Sequence, residues 1–166
     1  VPGGDKLRSA GRAALGVEVA IFDKDDTERP RCEVGEICAR GPNVMLGYWG
    51  MEEASAEALR NGWLHTGDLG YMDEDGFVFI VDRVKDMIIS GGENIFSVEV
   101  ESAIYSHPAV QECAVVGIPH DEWVETVHAI VVPRQGHVLT EDELLSHCRE
   151  LIAGYKLPRS IEFRSE

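Results

Sequence analysis

A carboxylate next to a glycine is the first feature of this sequence that could do chemistry. Thr66-Gly67-Asp68 follows the aromatic stretch Trp63-Leu64-His65. The Asp68 carboxylate could accept hydrogen bonds from both hydroxyls of a vicinal diol such as a ribose. A turn aspartate that accepts hydrogen bonds from backbone amides has the same pattern, so three residues leave both interpretations open. His65 is predicted to be a packed or capping histidine and not a catalyst.

Two further segments are dense in charge or in glycine. Asp82-Arg83-Val84-Lys85-Asp86 carries four charges between two apolar stretches, which is typical of an exposed joint between domains or of a solvated linker. Ser90-Gly91-Gly92-Glu93-Asn94 contains adjacent glycines. Such a pair permits either a tight hairpin or the close passage of a long, thin ligand along the backbone.

Spacing excludes two other kinds of site. Gly62 to Gly67 has the spacing of a phosphate-binding loop, but Asp68 stands where that loop needs a lysine. The four cysteines have no Cys-x-x-Cys spacing, and no histidine lies at zinc-finger spacing from them. We therefore predict neither a metal site nor a redox pair among these cysteines.

The composition restricts the class of partner. The 166 residues include 30 acidic and 15 basic side chains, which gives a formal charge of -15, so binding to nucleic acid or to an anionic membrane surface is disfavoured. No apolar run approaches the roughly 18 residues of a membrane span, and the first residues do not form a signal peptide. We predict a globular protein of the reducing cytoplasm.

The first half of the chain has a strand-rich pattern. Polar and apolar side chains alternate at 17–22 and 36–40, which predicts two strands. Residues 51–60 have helical spacing and stop at Asn61-Gly62. The continuous apolar run 77–81 predicts a well-buried strand.

The second half alternates strands and helices, so the predicted fold class is α+β, with a β-rich subdomain followed by a small α+β domain. Ser97 is the predicted cap of its first helix. Thr140 opens the second helix as part of a Thr-x-x-Glu capping box, and we expect that helix to end at Gly154. The predicted strands of this half are 87–89, 110–118, 127–132 and 159–164.

The ordered set of motifs resembles the adenylate-forming (AMP-binding) enzymes, and within them the acyl-coenzyme A synthetases most of all. The resemblance covers essentially the whole chain. Its main segments are Gly35-Glu36-Ile37, Gly41 to Trp49, Gly62 to Gly70, Asp82 to Ile95, Val98 to Glu101, His107 to Val110, Ala114 to Pro119 and Tyr155 to Arg159.

The resemblance implies a two-step ligase that uses ATP, Mg²⁺ and coenzyme A. A small-molecule carboxylic acid forms an acyl-adenylate, and the coenzyme A thiol then displaces AMP. It also implies that Asp68 and Arg83 bind the nucleotide and that Lys85 is the hinge of a mobile C-terminal domain. The residues implied to line the coenzyme A channel are Ser90, Gly91, Gly92 and Glu93.

The same resemblance predicts that the chain is a C-terminal fragment. Residues 1–82 correspond to the last β-subdomain of the adenylation domain, and 83–166 correspond to the mobile domain without its final segment. The family's catalytic lysine is expected beyond Glu166, so no catalytic residue is assigned and the fragment alone is predicted to be inactive. An apolar face on 1–82 is expected to promote self-association. Val124 stands where the family usually has a glycine.

Two alternatives remain. One is an amino-acid-activating adenylation domain that loads a carrier protein, against which the Gly91-Gly92-Glu93-Asn94 sequence favours coenzyme A. The other is a stand-alone, non-catalytic binding module, against which the start at Val1 and the loop-like Gly3-Gly4-Asp5 count. The acid substrate and the oligomeric state are not encoded in these motifs.

Overall fold

A computed structural model describes residues 5–165, and the chain divides into two compact units between Lys85 and Asp86. The loop predicted at Gly3-Gly4 lies outside the described residues. Both units combine helix with mainly antiparallel sheet, so the predicted α+β class is confirmed. Within the described residues, no helix has the length and apolar character that a membrane crossing requires.

Five strands and one α-helix form the first unit. They are β1 (Gly11–Arg12), β2 (Glu18–Phe22), β3 (Gly35–Arg40), α1 (Glu52–Ala58), β4 (Leu64–Met72) and β5 (Phe77–Arg83), with short 3-10 segments at Asp5–Arg8 and Arg60–Gly62. The sheet is antiparallel in the order β1-β5-β4-β3-β2. The strands predicted at 17–22 and 36–40 are confirmed. The helix predicted at 51–60 ends earlier, and Asn61 and Gly62 then follow with φ of 55° and 77°.

The prediction that the run 77–81 is well buried is wrong. β5 is a strand, but Ile80 is 60% exposed while Val78 is 7% exposed. Val78 and Ile80 are two residues apart, so their side chains point to the same face of the sheet, but the core cluster of this unit includes Val78 and does not extend to Ile80. That cluster is small, and its members are Ile21, Ile37, Met72 and Val78.

The second unit has a larger core. Its elements are β6 (Ile88–Ser90), β7 (Glu93–Ile95), α2 (Ser97–Tyr105), β8 (Val110–His120), β9 (Val124–Pro133), α3 (Glu141–Arg149) and β10 (Ser160–Phe163), with a 3-10 segment at Gly154–Lys156. β9 pairs antiparallel with β8 along most of its length, parallel with β10, and at Val124 with β6. The largest fully buried side chains of this unit are Ile88, Ile95, Val100, Ile104, Val110, Val127, Val131, Leu144 and Cys148.

The helix ends of this unit agree only in part with the sequence. The helix start predicted at Thr140 is confirmed, because Thr140 is the N-cap and the Glu143 amide donates a hydrogen bond of 3.3 Å to Thr140 Oγ1, which is one of the two bonds of a capping box. Ser97 is the first helical residue of α2 and Phe96 holds the cap position, so the predicted cap is wrong by one residue. α3 ends at Arg149, well before Gly154, so the predicted end is also wrong.

Val124 begins β9 in a conformation that its side chain disfavours. Its φ is 71°, in the left-handed region, although valine is β-branched. Left-handed backbone costs an L-residue about 1–2 kcal/mol, and glycine adopts it without that penalty. The glycine that the family usually has at this position is therefore explained by the backbone.

Val124→Gly is expected to stabilise the chain by about 1 kcal/mol, because relief of the strain exceeds the added entropy of the unfolded chain. Urea unfolding of both proteins measures the change. Val116→Gly is the matched control: Val116 lies in β8, is also partly exposed at 41%, and is not among the residues with positive φ. This control should be destabilised. A decrease in stability in both variants would show that Val124 is not strained.

Candidate functional site

The motif Thr66-Gly67-Asp68 lies in a bulge of β4. The register with β3 passes from a pair at His65 to a pair at Leu69, so the three residues lie opposite a single residue, Ile37. Gly67 has φ of 75°, which glycine adopts freely. A bulge twists its strand locally and changes the direction of side chains, and bulges are common beside functional sites.

The bulge brings Asp68 next to Arg83. The two residues are paired across β4 and β5, and Arg83 Nε lies 3.5 Å from Asp68 Oδ1. The side chains are 36% and 61% exposed, so both are open to a ligand. A solvent-accessible carboxylate beside a guanidinium can accept hydrogen bonds from a diol while the cation offsets its charge. The structure therefore places the two predicted nucleotide-binding residues together.

A polar network lies beneath the bulge, and the sequence did not predict it. Glu36 accepts a hydrogen bond of 3.0 Å from the Gly67 amide through Oε1, and its Oε2 lies 2.8 Å from His65 Nδ1. Arg60 donates to Glu36 Oε2 at 3.3 Å and to Asp26. His65 is 9% exposed, so it is a packed histidine as predicted. The pKa of Asp26 is lowered, chiefly by its hydrogen bond from Arg60.

Glu36, Cys38 and His65 have ligand atoms within 4.8 Å of one another, a spacing that a metal ion could use. Their chemistry in this structure points to a hydrogen-bonded cluster instead. Burial, followed by the charge of Glu36, raises the pKa of Cys38 to about 12, so the thiol is protonated. The Arg60 guanidinium already supplies the neighbouring positive charge. We assign no metal to this cluster.

The charged segment that begins with the last two residues of β5 is only partly solvated. Lys85 is exposed in a turn, at the boundary between the two units. Asp82 is only 6% exposed, and it accepts a hydrogen bond of 2.7 Å from the Arg83 amide. The alternative of a fully solvated linker is therefore wrong for Asp82.

In the second unit, β6 and β7 form a hairpin around the paired glycines. Ser90 pairs with Glu93, and Gly91 and Gly92 have φ of 60° and 86°. Both glycines and Glu93 are exposed, and Ser90 is half-buried. The tight hairpin is thus observed, and its left-handed backbone requires residues without a Cβ.

An aromatic and cationic cluster supports this hairpin. The Gly91 amide donates a hydrogen bond of 3.1 Å to the Trp123 carbonyl. The Arg159 guanidinium lies 3.5 Å from the centroid of the Trp123 ring, and the His120 ring stacks on Trp123 at 4.5 Å with an angle of 10°. The sequence signal was the tryptophan after Asp121-Glu122, but two of its partners, Gly91 and Arg159, are distant along the chain.

Lys156 is a half-buried lysine with a carboxylate partner. Its side chain is only 18% exposed, and Nζ lies 2.7 Å from a carboxylate oxygen of Glu99. Burial opposes the charged form, but hydrogen bonding and attraction from Glu99 outweigh it, so the pKa of Lys156 is raised. This lysine joins the 3-10 segment to α2 and has a structural role.

Comparison with known proteins identifies the class. Residues 1–49 match the AMP-binding enzyme family, and residues 99–166 match the AMP-binding enzyme C-terminal domain. The chain belongs to the AMP-binding, adenylate-forming enzymes, as its motifs predicted.

Curated relatives of the chain include coenzyme A synthases and ligases. Feruloyl-CoA synthase from Amycolatopsis is 49% identical, with 96% of this chain and 32% of that protein covered. A long-chain-fatty-acid–CoA ligase from Escherichia coli is 46% identical, with 95% and 28% covered. The chain therefore spans about a third of the length of the curated relatives it matches.

A solved relative has the same fold. The o-succinylbenzoate-CoA synthetase of Bacillus subtilis, in complex with its acyl-adenylate intermediate, matches with a TM-score of 0.88 and 42% identity over 98% of this chain and 33% of that one. The same enzyme in complex with ATP and a magnesium ion matches with a TM-score of 0.85 and 41% identity over 96% of this chain and 32% of that one.

Proposed function

We propose that this chain is part of an ATP-dependent acyl-coenzyme A synthetase. The enzyme would join a small-molecule carboxylic acid to AMP and then transfer the acyl group to the coenzyme A thiol. The observation that carries the proposal is the Asp68–Arg83 pair on a bulged strand, in a chain whose relatives at 46–49% identity are coenzyme A ligases.

Each predicted residue has a role in this proposal. Asp68 accepts hydrogen bonds from the ribose hydroxyls, and Arg83 completes the nucleotide contact. Lys85 is the hinge, because an exposed turn residue between two compact units can change its backbone dihedrals at little cost. The hairpin at Ser90, Gly91, Gly92 and Glu93 offers exposed backbone to the pantetheine arm of coenzyme A. We retain 1–82 and 83–166 as the two functional parts.

The residues present fit only part of the ligand set. The Asp68 carboxylate is charged and exposed, so it can accept hydrogen bonds from a diol. Mg²⁺ prefers oxygen ligands, and the one group of three candidate ligands found among residues 5–165 includes a thiol and an imidazole. We therefore propose that the protein ligands of Mg²⁺, together with the acyl pocket and the catalytic lysine, belong to other parts of the full-length enzyme.

The acid is a separate question. The relatives are named for ferulate and for long-chain fatty acids, so a role in fatty acid metabolism is one possibility within the proposal. A cytoplasmic location remains a prediction. Self-association of the isolated chain also remains one, and the described residues that favour it include Leu46 and Trp49, which are 102% and 100% exposed.

The test is to assay the two half-reactions of the full-length enzyme separately. ATP–pyrophosphate exchange with a panel of carboxylic acids reports acyl-adenylate formation, and thioester formation reports transfer to coenzyme A. Acyl transfer only to a carrier-bound phosphopantetheine would replace the proposal with the carrier-loading alternative. Exchange by the 166-residue chain alone would contradict the predicted division of the active site.

Gly92→Val in the full-length enzyme is expected to slow thioester formation about tenfold or more, while exchange stays within about twofold of wild type. A Cβ at Gly92 meets no atom within 4 Å, so the effect arises from the left-handed backbone and not from a clash. A β-branched residue would shift the hairpin away from the observed turn.

Gly136→Val is the matched control. Gly136 lies in the same unit, has φ of 82°, and a Cβ there also meets no atom within 4 Å. Its strain is comparable, but it lies outside the hairpin. We expect both half-reactions of this variant to stay near wild type. An equal loss of thioester formation in both variants would assign the effect to general destabilisation.

A further inference from the structure

Glu36 occupies a position that the proposed reaction does not yet use. It lies in β3, its side chain is 15% exposed, and its carboxylate accepts a hydrogen bond of 3.0 Å from the Gly67 amide at the bulge. The two residues are 31 positions apart in sequence. This carboxylate therefore supports the backbone between His65 and Asp68 from the neighbouring strand.

The bulge explains why the Gly67 amide needs a side chain as its hydrogen-bond partner. Thr66-Gly67-Asp68 lie opposite only Ile37, so these amides cannot all follow the regular ladder of hydrogen bonds. The Gly67 amide uses Glu36, and the Asp68 amide uses Thr66 Oγ1 at 3.1 Å. Thr66 Oγ1 in turn donates to the Ile37 carbonyl at 2.7 Å. Side chains thus replace backbone partners at both amides.

Gly67 is also held through its carbonyl, in the next peptide group, by the residue that follows β5. The Val84 amide donates a hydrogen bond of 2.9 Å to the Gly67 carbonyl, directly after Arg83. Fixing the Gly67 amide from one side and its carbonyl from the other restricts the orientation of Asp68 relative to Arg83. Because Gly67 is otherwise free to rotate, this restraint has a larger effect than it would at a residue with a side chain.

Glu36 is itself held in place. Its second oxygen lies 2.8 Å from His65 Nδ1 and 3.3 Å from Arg60 Nη2, so the carboxylate has partners on both oxygens. Arg60 supplies the positive charge that a mostly buried carboxylate requires. A carboxylate with partners on both oxygens is a stiff support for one amide.

We propose that Glu36 is a positioning residue for ribose recognition, which acts by fixing the Gly67 amide and hence the bulge that presents Asp68. The inference rests on the proposed role of Asp68 at the ribose. It predicts that loss of Glu36 weakens recognition of the ribose hydroxyls specifically, in addition to any effect on stability.

The test compares ATP with 2′,3′-dideoxy-ATP in pyrophosphate exchange by the full-length enzyme. The quantity is the ratio of kcat/KM for the two nucleotides, which does not depend on the fraction of folded enzyme. We expect Asp68→Ala to bring the ratio near one and Glu36→Ala to lower it about fivefold or more. The double variant Asp68→Ala/Glu36→Ala should have the same ratio as Asp68→Ala alone, because both substitutions remove the same interaction with the ribose.

Two variants keep the test decisive. Glu36→Gln keeps the shape of the side chain but cannot satisfy the Gly67 amide, His65 and Arg60 together, so it should also lower the ratio. It replaces Glu36→Ala in the test if that variant does not fold. Glu18→Ala is the matched control, since Glu18 lies on neighbouring β2 and its carboxylate pairs with Arg40 at 2.7 Å, away from the bulge. Its ratio should equal that of wild type.

The outcomes separate the two proposals. If Asp68→Ala lowers the ratio and neither Glu36 variant does, the role of Glu36 is overturned and the ribose assignment stands. If Asp68→Ala leaves the ratio unchanged, the ribose assignment fails and the role of Glu36 fails with it. A fall in the Glu18→Ala control would show that the ratio responds to any change in this sheet, and would also overturn the inference.

Discussion

Asp68→Ala in the full-length enzyme is expected to lower kcat/KM for ATP in adenylate formation by about 100-fold or more. In the proposed function this carboxylate accepts two hydroxyl hydrogen bonds from the ribose, and hydrogen bonds to charged groups each contribute about 1.5–3 kcal/mol. Arg83 would also lose the anion that lies 3.5 Å from its Nε. Pyrophosphate exchange at varied ATP concentration measures the loss.

The control for Asp68 is another carboxylate of the same unit. Asp75 is exposed and pairs with Lys6, outside the bulge, so Asp75→Ala should keep nearly full exchange activity. Asp68→Asn should be intermediate, because the amide keeps one acceptor oxygen and loses the charge. Wild-type activity in Asp68→Ala would remove the observation on which the proposed function depends.

Lys85→Pro is expected to separate the two half-reactions. Proline fixes φ near −65°, whereas a hinge must adopt different dihedrals in the two orientations of the C-terminal domain. Lys85 is not among the residues with positive φ, so proline is compatible with the sign of its observed φ. One half-reaction should fall about 100-fold, as excluding one orientation by about 3 kcal/mol implies, while the other stays within about threefold of wild type.

Lys85→Ala distinguishes the hinge from a role of the ammonium group. Alanine leaves φ free, and the exposed lysine is a turn residue in this structure, so both half-reactions should remain close to wild type. Single-turnover measurements of adenylate formation and of thioester formation provide the comparison. An equal loss of both half-reactions in Lys85→Pro would exclude the hinge assignment.

Much of the fold follows from short-range patterns. Alternation predicted β2 and β3, and the Thr140 box predicted the start of α3, because these signals concern residues a few positions apart. The exposure of Ile80 was missed for a complementary reason. An apolar run specifies a strand, but how far the core extends along each of its faces depends on what packs against the sheet.

The candidate site divides in the same way. The sequence predicted Asp68, Arg83, Lys85 and the paired glycines as site residues, because they stand in short contiguous motifs. It did not identify Glu36 as the partner of the Gly67 amide or Trp123 as the support of Gly91, since these contacts join residues about thirty positions apart. Their formation depends on strand register and on the bulge, which no local pattern specifies.

The amino-acid sequence by itself determined the adenylate-forming family and the α+β class, and it predicted the segments proposed to carry the chemistry. Its motifs are contiguous, so their residue types and spacing are sufficient to recognise them. Only the tertiary structure decided that Asp68 lies on a bulge beside Arg83, that Glu36 holds this bulge, and that Lys156 pairs with Glu99. The physical reason is that a hydrogen bond or ion pair needs atoms within about 3–4 Å, and the register and packing of distant segments determine which atoms meet.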